Sequence, residues 1–389
     1  MKNLQDRLIN LKENINKGNI SIMIMGLGSV GLYLLDYIIS RNDPSVKVIA
    51  AGRNTEKMQQ DINIVRISSL IRSQNKSTVI IDSNCDLNNI NEISECIKKH
   101  SPDFIVNTSR VYPGLKYGTI SWHNFRAYGI WSPLAINLIR NIMLAADKAD
   151  TNAIVINASY SDAVIPWLKS AEQPYPDFGS GNVNHLIPRI KYAASQLLNL
   201  NDYWNIDVNM ATSHFHDVVI SKEGQIEGQN PLLALFYKGE KLIVNETALY
   251  ELCKIPMPTD AKRNMMNASS NFDIIFTIID AVRNKSSKIF HSPGALGLIG
   301  GYPVKINGNT PDINIDESVF SLNDMISVNK KSLYLDGIES IENGTLTYTD
   351  ILLEKVKKTF SVNLPKQINF KDIDSTAEFI IENIIKKNK

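Results

Sequence analysis

The sequence predicts an α/β protein in which a parallel sheet, built by the first half, is followed by a mixed α+β second half. Three observations carry this expectation. Short apolar runs alternate with helical patterns from Ile20 to Asn157. A glycine motif, Gly26-Leu27-Gly28-Ser29-Val30-Gly31, stands between the first run and the first helix. Beyond about residue 160 the alternation fades into helices mixed with scattered strands.

Each element has its own warrant. Leu4, Leu8, Leu11 and Ile15 recur at helical spacing within a charged N-terminal stretch, which predicts an amphipathic lead-in helix. Ile20 to Met25 reads as a short buried strand, and Leu32 to Ser40 as the helix after the glycines. A second run, Val46 to Ala51, ends in Gly52-Arg53-Asn54; a third, Thr78 to Ile81, leads to Asp82 and Asp86. After the helical stretch Ile90 to His100 comes a fourth strand, Phe104 to Asn107. The strongly helical Pro133 to Lys148 precedes a fifth, Ala153 to Asn157. Strands separated by helices at this spacing pair in parallel through right-handed crossovers.

The expected division is a dinucleotide-binding unit over 1–160 and an α+β catalytic unit over 161–389. In the second, Pro188 to Leu200 and Ala261 to Arg283 read as helices, and strands are expected around Asn209 to Ser213, Asp217 to Ser221 and Tyr302 to Ile306. Asn343-Gly344 suits the positive φ angles of a tight hairpin between Ser340 and Tyr348. Ser375-Thr376-Ala377-Glu378 reads as a capping box opening a last helix over Phe379 to Ile385.

Composition narrows the function. Of 389 residues 43% are hydrophobic and 21% charged, so the chain is globular; 41 Lys+Arg against 40 Asp+Glu leave no overall field to draw it onto nucleic acid or an anionic membrane. Cys85, Cys96 and Cys253 show no CxxC and no metal-ligand spacing, so neither a disulfide framework nor a zinc knuckle is expected, and no metal site. No apolar run approaches the roughly 20 residues that cross a bilayer, and the N-terminus has no apolar signal-like core. The expectation is a soluble cytoplasmic protein acting on a small molecule, without a nucleic-acid or membrane partner.

Gly26, Gly28 and Gly31 form GxGxxG between a strand and a helix, the Rossmann-type arrangement: the first permits a tight turn, the second lets a pyrophosphate approach the backbone, and the third lets helix and strand pack closely. The expected cofactor contacts are Gly26, Gly28, Ser29, Val30 and Gly31 in the turn, with Arg53, Asn54, Asp86 and Asn107 at the ends of later strands. NAD-preferring sites place an acidic residue at the end of the second strand, but here Arg53 stands there. A guanidinium forks onto a 2′-phosphate, so NADP is preferred over NAD. Asp86 is either an acceptor for the adenine amino group or a solvated turn residue.

Four further groups carry a resemblance. Asn107-Thr108-Ser109-Arg110, Ile156-Asn157-Ala158-Ser159, Gly179-Ser180-Gly181 followed by Arg189 and Tyr192, and His214-Phe215-His216-Asp217 occur in the order of landmarks of the lactate/malate dehydrogenase superfamily. The stretch Asn267 to Ile289 is similar to that family's long helix and following strand, while the third-strand region is more like short-chain or saccharopine-type reductases. The resemblance implies a catalytic domain of lactate/malate dehydrogenase type. Arg110 would bind substrate, Asn157 would position cofactor or substrate, Arg189 would clamp a carboxylate, and a histidine would shuttle the proton in a homodimeric enzyme.

The chemistry has an independent rationale. Hydride exchange at C=O/CH–OH, or alternatively at C=N, needs a group that moves the proton, for which imidazole is suited. Orienting a carboxylate favours arginine's planar fork. His214 and His216 would face the same way on a strand, with His216, next to Asp217, slightly favoured; ordinary strand histidines remain the alternative. Arg126, in the aromatic segment Val111 to Trp131, is a possible second substrate contact. One departure is marked: Leu186 stands where the family has the aspartate that orients the histidine, leaving Asp217, Asp162 or Asn184 as substitutes. This leaves two alternatives open, an NADP-binding sensor without catalysis and a metal-dependent glycosidase-like hydrolase using His185, His214, His216 and Asp217. Tyr112-Lys116 and Tyr237-Lys241 match YxxxK, but Pro113, Gly114 and Gly239 argue against the helix that motif requires.

Overall fold

The computed structural model describes residues 1–112, 114–258 and 260–387, so Pro113 lies outside the described residues. Helix α1 (Leu4–Asn16) leads into β1 (Ile20–Met25), α2 (Ser29–Ser40), β2 (Val46–Ala51), α3 (Thr55–Arg72), β3 (Thr78–Asp82), α4 (Ile90–His100) and β4 (Phe104–Asn107). There follow α5 (Gly114–Ile120), α6 (Ser132–Lys148), β5 (Ile154–Asn157), α7 (Ser161–Ser170) and β6 (Phe178–Gly179). The six strands form one sheet in the order β3-β2-β1-β4-β5-β6, with every neighbouring pair parallel. This is the dinucleotide-binding order, and it takes its sixth strand from beyond residue 160.

Alternate side chains supply the two faces. Ile22, Ile24, Val48 and Ala50 pack with α1, α2 and α3, whereas Met23, Met25, Ile49 and Ile105 pack with α4, α6 and α7. Buried on both faces, the strands read as continuous apolar runs, which is why their bounds are visible in the sequence.

The second half comprises α8 (Val183–Leu197), β7 (Ile206–Ala211), α9 (His214–Glu223), β8 (Leu232–Tyr237), β9 (Glu240–Leu242), α10 (Glu246–Cys253) and α11 (Asn264–Asn284). After these come β10 (Ser287–Pro293), β11 (Gly301–Asn307), β12 (Asp312–Ile315) and α12 (Leu322–Leu335). The chain closes with β13 (Ile338–Glu342), β14 (Thr345–Tyr348), α13 (Asp350–Phe360), β15 (Gln367–Asn369) and α14 (Ile373–Ile380). Its strands form three antiparallel sheets, β7-β8-β9, β10-β11-β12 and β13-β14-β15. Helix α11 folds back onto α1 and α2, and α14 onto α6, so both layers flanking the parallel sheet include later parts of the chain.

Two expectations are corrected, and one, against a helical YxxxK pair, holds. Asp217 to Ser221 lies within helix α9: the β-branched run Val218-Val219-Ile220 imitates a strand, but Phe215, Val219 and Ile220 are buried along a helix that Gly224 ends in the left-handed region. Helix α14 starts at Ile373, and Ser375 and Thr376 turn their hydroxyls back to the Asp372 carbonyl, so no capping box forms. Tyr237 and Lys241 lie on β8 and β9, while Tyr112 precedes α5, which begins at Gly114. The hairpin at Asn343-Gly344 forms, with φ of 49° and 72°. Among the described residues no helix is long and apolar enough to cross a membrane.

Candidate active site

The glycine turn has the shape that a pyrophosphate requires. Gly26 has φ +96°, and a Cβ there would come within 2.9 Å of Ser109 Cβ; a Cβ on Gly31 would lie 2.3 Å from the Gly26 carbonyl oxygen. These two glycines are needed by the protein itself. Among the described residues, nothing apart from its chain neighbours lies within 4 Å of a Cβ placed on Gly28, so the space above it is open. Helix α2 starts there with no side chain capping its first turn, which leaves its N–H groups available to an anion. Ser29 Oγ accepts a hydrogen bond from Asn264 Nδ2 at 2.5 Å, and Val30 is half-buried against the core. A cavity of about 270 Å³ opens beside the turn, walled by Gly26, Gly52, Arg53, Asp86, Ser109 and Arg110. The open turn and the uncapped helix start suit a pyrophosphate group.

At the end of β2 the Arg53 guanidinium is 71% exposed and 3.3 Å from Asp86 Oδ2. The Asn88 N–H, on Asp86 Oδ1, and the Arg53 charge hold the Asp86 carboxyl below the usual carboxylate range. Asn54 caps α3, its Oδ1 accepting from Lys57 N at 3.0 Å. Lys57 adds a second cation to the wall, paired with Asp61 at 2.6 Å.

Asn107 and Asn157 face each other across β4 and β5, and both side chains are engaged by protein. Asn107 Nδ2 donates to Asn157 Oδ1 at 2.9 Å, and Asn157 Nδ2 donates to the Ser159 carbonyl at 2.9 Å. The pair braces the loops that leave the sheet edge. Arg110 lies on those loops, exposed, with Nη2 donating to the Ala158 carbonyl at 3.3 Å.

Two residues beyond Ala158 the same loop reaches the histidine. His214 opens α9, its N–H donating to Asp162 Oδ1 at 3.0 Å, and its Nδ1 lies 2.9 Å from Asp336 Oδ2. A carboxylate on Nδ1 fixes the proton there and leaves Nε2 as the basic nitrogen; the side chain is 12% exposed, and Nε2 has no hydrogen-bond partner among the described residues. Asp336, fully buried just after α12, also accepts from Tyr160 Oη at 2.6 Å and from Tyr128 N at 2.8 Å. The rings of Tyr128 and Tyr160 stand edge-on to the imidazole at 4.4 and 5.2 Å. Burial pulls the His214 pKa down, but Asp336, Asp162 and Asp217 outweigh it and leave the pKa above its ordinary value. Burial pushes Asp162 up to about 6 despite His214 and Asn182 beside it.

His216 has a different role. Two residues along a helix point away from each other, so the shared facing expected of a strand is lost. Its Nδ1 is 2.7 Å from Ser332 Oγ and its Nε2 2.9 Å from the Glu227 carbonyl, so both ring nitrogens are engaged inside the protein. Arg126, too, is occupied, held by Glu223 and Glu227 at 2.7 Å each.

Arg189 is 4% exposed and forms no ion pair among the described residues. Its Nη1 donates to the Cys253 carbonyl and its Nη2 to Met257 Sδ, both at 3.0 Å, and Nε is buried without a partner. Burial depresses its pKa, Asp217 opposes this, and the nearby Arg263 adds to it. A buried guanidinium with an unsatisfied N–H, near a second cation, is arranged to receive an anion. Arg263, at the entrance to α11, Asp336 and the two tyrosines are absent from the sequence expectations; the carboxylate on the His214 ring is that of Asp336, not of Asp217 or Asp162, and Asn184 is not its partner. His185, His214, His216 and Asp217 do not converge as metal ligands among the described residues.

No protein-family model and no curated protein sequence matches the chain. Solved structures do. The malate dehydrogenase of Cryptosporidium parvum matches with a TM-score of 0.53 at 14% identity, over 82% of this chain and 98% of its own. The malate dehydrogenase of Plasmodium falciparum matches with 0.54 at 12%, over 82% and 97%. The lactate dehydrogenase of Cryptosporidium parvum, solved with lactic acid and nicotinamide adenine dinucleotide, matches with 0.53 at 15%, over 82% and 98%. The parallel sheet and the antiparallel sheets that follow it thus have the fold of malate and lactate dehydrogenases, as the sequence landmarks imply.

Proposed function

We propose that the protein is a nicotinamide-dependent oxidoreductase, with NADP preferred, that interconverts C=O and CH–OH on a small carboxylate-bearing metabolite. The observation that carries this reading is the His214–Asp336 pair, whose Nε2 has no partner among the described residues, on the same sheet edge as an open glycine turn. A bound nicotinamide would supply or accept the hydride. His214 Nε2 would give a proton to the substrate oxygen during reduction and remove it during oxidation. Asp336 would hold the ring in the tautomer this requires, with Tyr160 and Tyr128 fixing the carboxylate. Arg189 would receive the substrate carboxylate, with Arg110 on the facing loop. The NADP preference rests on Arg53 and Lys57 beside the cradle, where no acid ends β2. The neighbours that share the fold include enzymes solved with NADH and oxamate or with NAD and lactic acid, which favours a 2-oxo or 2-hydroxy acid. The homodimer implied by the resemblance is part of this proposal and would be read by light scattering.

The test is titration with NADPH and NADH followed by nucleotide fluorescence, then NADPH oxidation against a panel of 2-oxo acids. Binding with turnover, reduced about 10²–10⁴-fold in His214→Ala, is the expected result. Absence of binding by either nucleotide would overturn the reading.

A further inference from the structure

Three donor groups converge at the end of β3, beside the wall of the nucleotide cradle, with a second thiol in the loop that follows. Asp82 closes that strand and Cys85 follows in the loop; Cys96 and His100 stand four apart at the end of α4, hence on one helix face. A carboxylate oxygen of Asp82, the Cys96 sulfur and a ring nitrogen of His100 all lie within 4.8 Å of one another. Cys85 is buried in the same cluster as Cys96 but is not among the three mutually close donors, so it would have to move in as the fourth ligand. The side chains of Asp82 and His100 are 3% and 8% exposed. The spacing is Asp-x2-Cys followed by Cys-x3-His. It is hidden from a search for paired cysteines because each half mixes two donor types.

We propose that Asp82, Cys85, Cys96 and His100 form a binding site for a thiophilic divalent cation of the zinc type. Two sulfurs, an imidazole nitrogen and a carboxylate oxygen make a tetrahedral zinc donor set, whereas calcium and magnesium take oxygen ligands. Binding breaks the two S–H bonds, releases both protons to solvent and forms two metal–thiolate bonds. Nothing is oxidised or reduced. Two thiolates and a carboxylate exceed the cation by one negative charge, and Lys99, whose Nζ is 2.8 Å from Asp82 Oδ2, is placed to balance it. His100 Nε2 now lies 2.8 Å from the same oxygen, so the two donors need to part by only a few tenths of an ångström to share a metal. Cys85 and Asp86 also wall the nucleotide cradle, so the cation would fix one side of it, and metal and nucleotide should alter each other's affinity by the same factor.

The test uses the full-length protein, reduced and freed of metal, titrated with cobalt(II). One equivalent per chain should produce the near-ultraviolet thiolate-to-cobalt band and the visible bands of a tetrahedral site, and zinc should bleach them. Cys96→Ser and His100→Ala should each weaken the metal at least about tenfold, the range typical of disturbed metal shells. Cys253→Ser should leave the bands unchanged. If Cys96→Ser does not fold by circular dichroism, His100→Ala and Asp82→Asn carry the measurement. Overturning results are an absence of thiolate bands, bands that survive in every variant, or a Cys85–Cys96 disulfide formed in protein that takes up no metal under reducing conditions. None of these readouts depends on turnover, so the proposal can fail while the oxidoreductase reading stands, and the reverse.

Discussion

His214 and His216 are two residues apart and differ in almost every physical respect that matters to catalysis. One is backed by a carboxylate and presents a basic nitrogen with no partner among the described residues; the other has both nitrogens bonded in the interior. His216→Ala should therefore keep the turnover of the folded fraction and lose about 1–3 kcal/mol of stability in urea titration, because Ser332 and the Glu227 carbonyl lose a buried partner. Asp336→Asn should act on the proton instead. The raised His214 pKa means that the imidazolium needed for reduction persists above the ordinary value of 6.5 and is lost as pH rises through the raised value. kcat/KM for reduction should accordingly be level in acid and fall on the alkaline side. Removing the Asp336 charge leaves burial, which lowers the pKa, so the fall should move to lower pH in the pH–rate profile. Arg189→Lys keeps the charge but loses the fork. KM for the acid should rise about tenfold or more, with a smaller change in kcat. An unmoved profile in Asp336→Asn would count against the role given to the pair. The arginine is legible in sequence as a landmark; its desolvation and unsatisfied Nε are visible only in the packed structure.

Among elements, the β1–turn–α2 unit makes the sharpest distinction between folding and binding. Gly31→Ala pushes a methyl group against the Gly26 backbone and should lower the melting temperature, at a cost of about 1–3 kcal/mol. Gly28→Ala meets nothing among the described residues apart from its chain neighbours, so the melting temperature should hold while nucleotide affinity falls. Equal effects of the two substitutions on stability would contradict the open-cradle geometry. The strands around this unit are readable because each is a continuous apolar run bounded by turn residues. Helix α3 is not: Met58, Ile62 and Val65 face inward while Ile64, Ile67, Leu70 and Ile71 are exposed, so apolar residues lie on both sides and the helical period is blurred. Helix α9 fails for the opposite reason, since its local β propensity favours a strand and tertiary burial overrides it.

At the scale of the molecule, the site depends on chain segments remote in sequence. Asp336 lies 122 positions from His214, and no periodicity or motif links them; they meet only because α12 returns to the sheet edge. The same holds for the buried pair Arg7–Asp177. Arg7, on α1, forks onto both Asp177 oxygens at 2.5 and 2.6 Å and donates to the Ala153 carbonyl at 2.8 Å. Asp177 also accepts from Val155 N at 2.9 Å, and its carbonyl accepts from Leu296 N. One ion pair thus joins the N-terminal helix, the entries to β5 and β6, and the segment between β10 and β11. Desolvation makes such a pair a modest net stabiliser, but breaking it leaves an uncompensated buried charge. Arg7→Ala should cost about 3–5 kcal/mol in denaturant unfolding and increase hydrogen exchange in α1. Asp177→Ala should cost a similar amount, and the double substitution should fall short of the sum by more than about 1 kcal/mol, because the second removal relieves the charge stranded by the first. Strictly additive losses would mean that α1 is held by Leu8, Leu11 and Ile15 alone, and that the ion pair contributes little to joining the two halves.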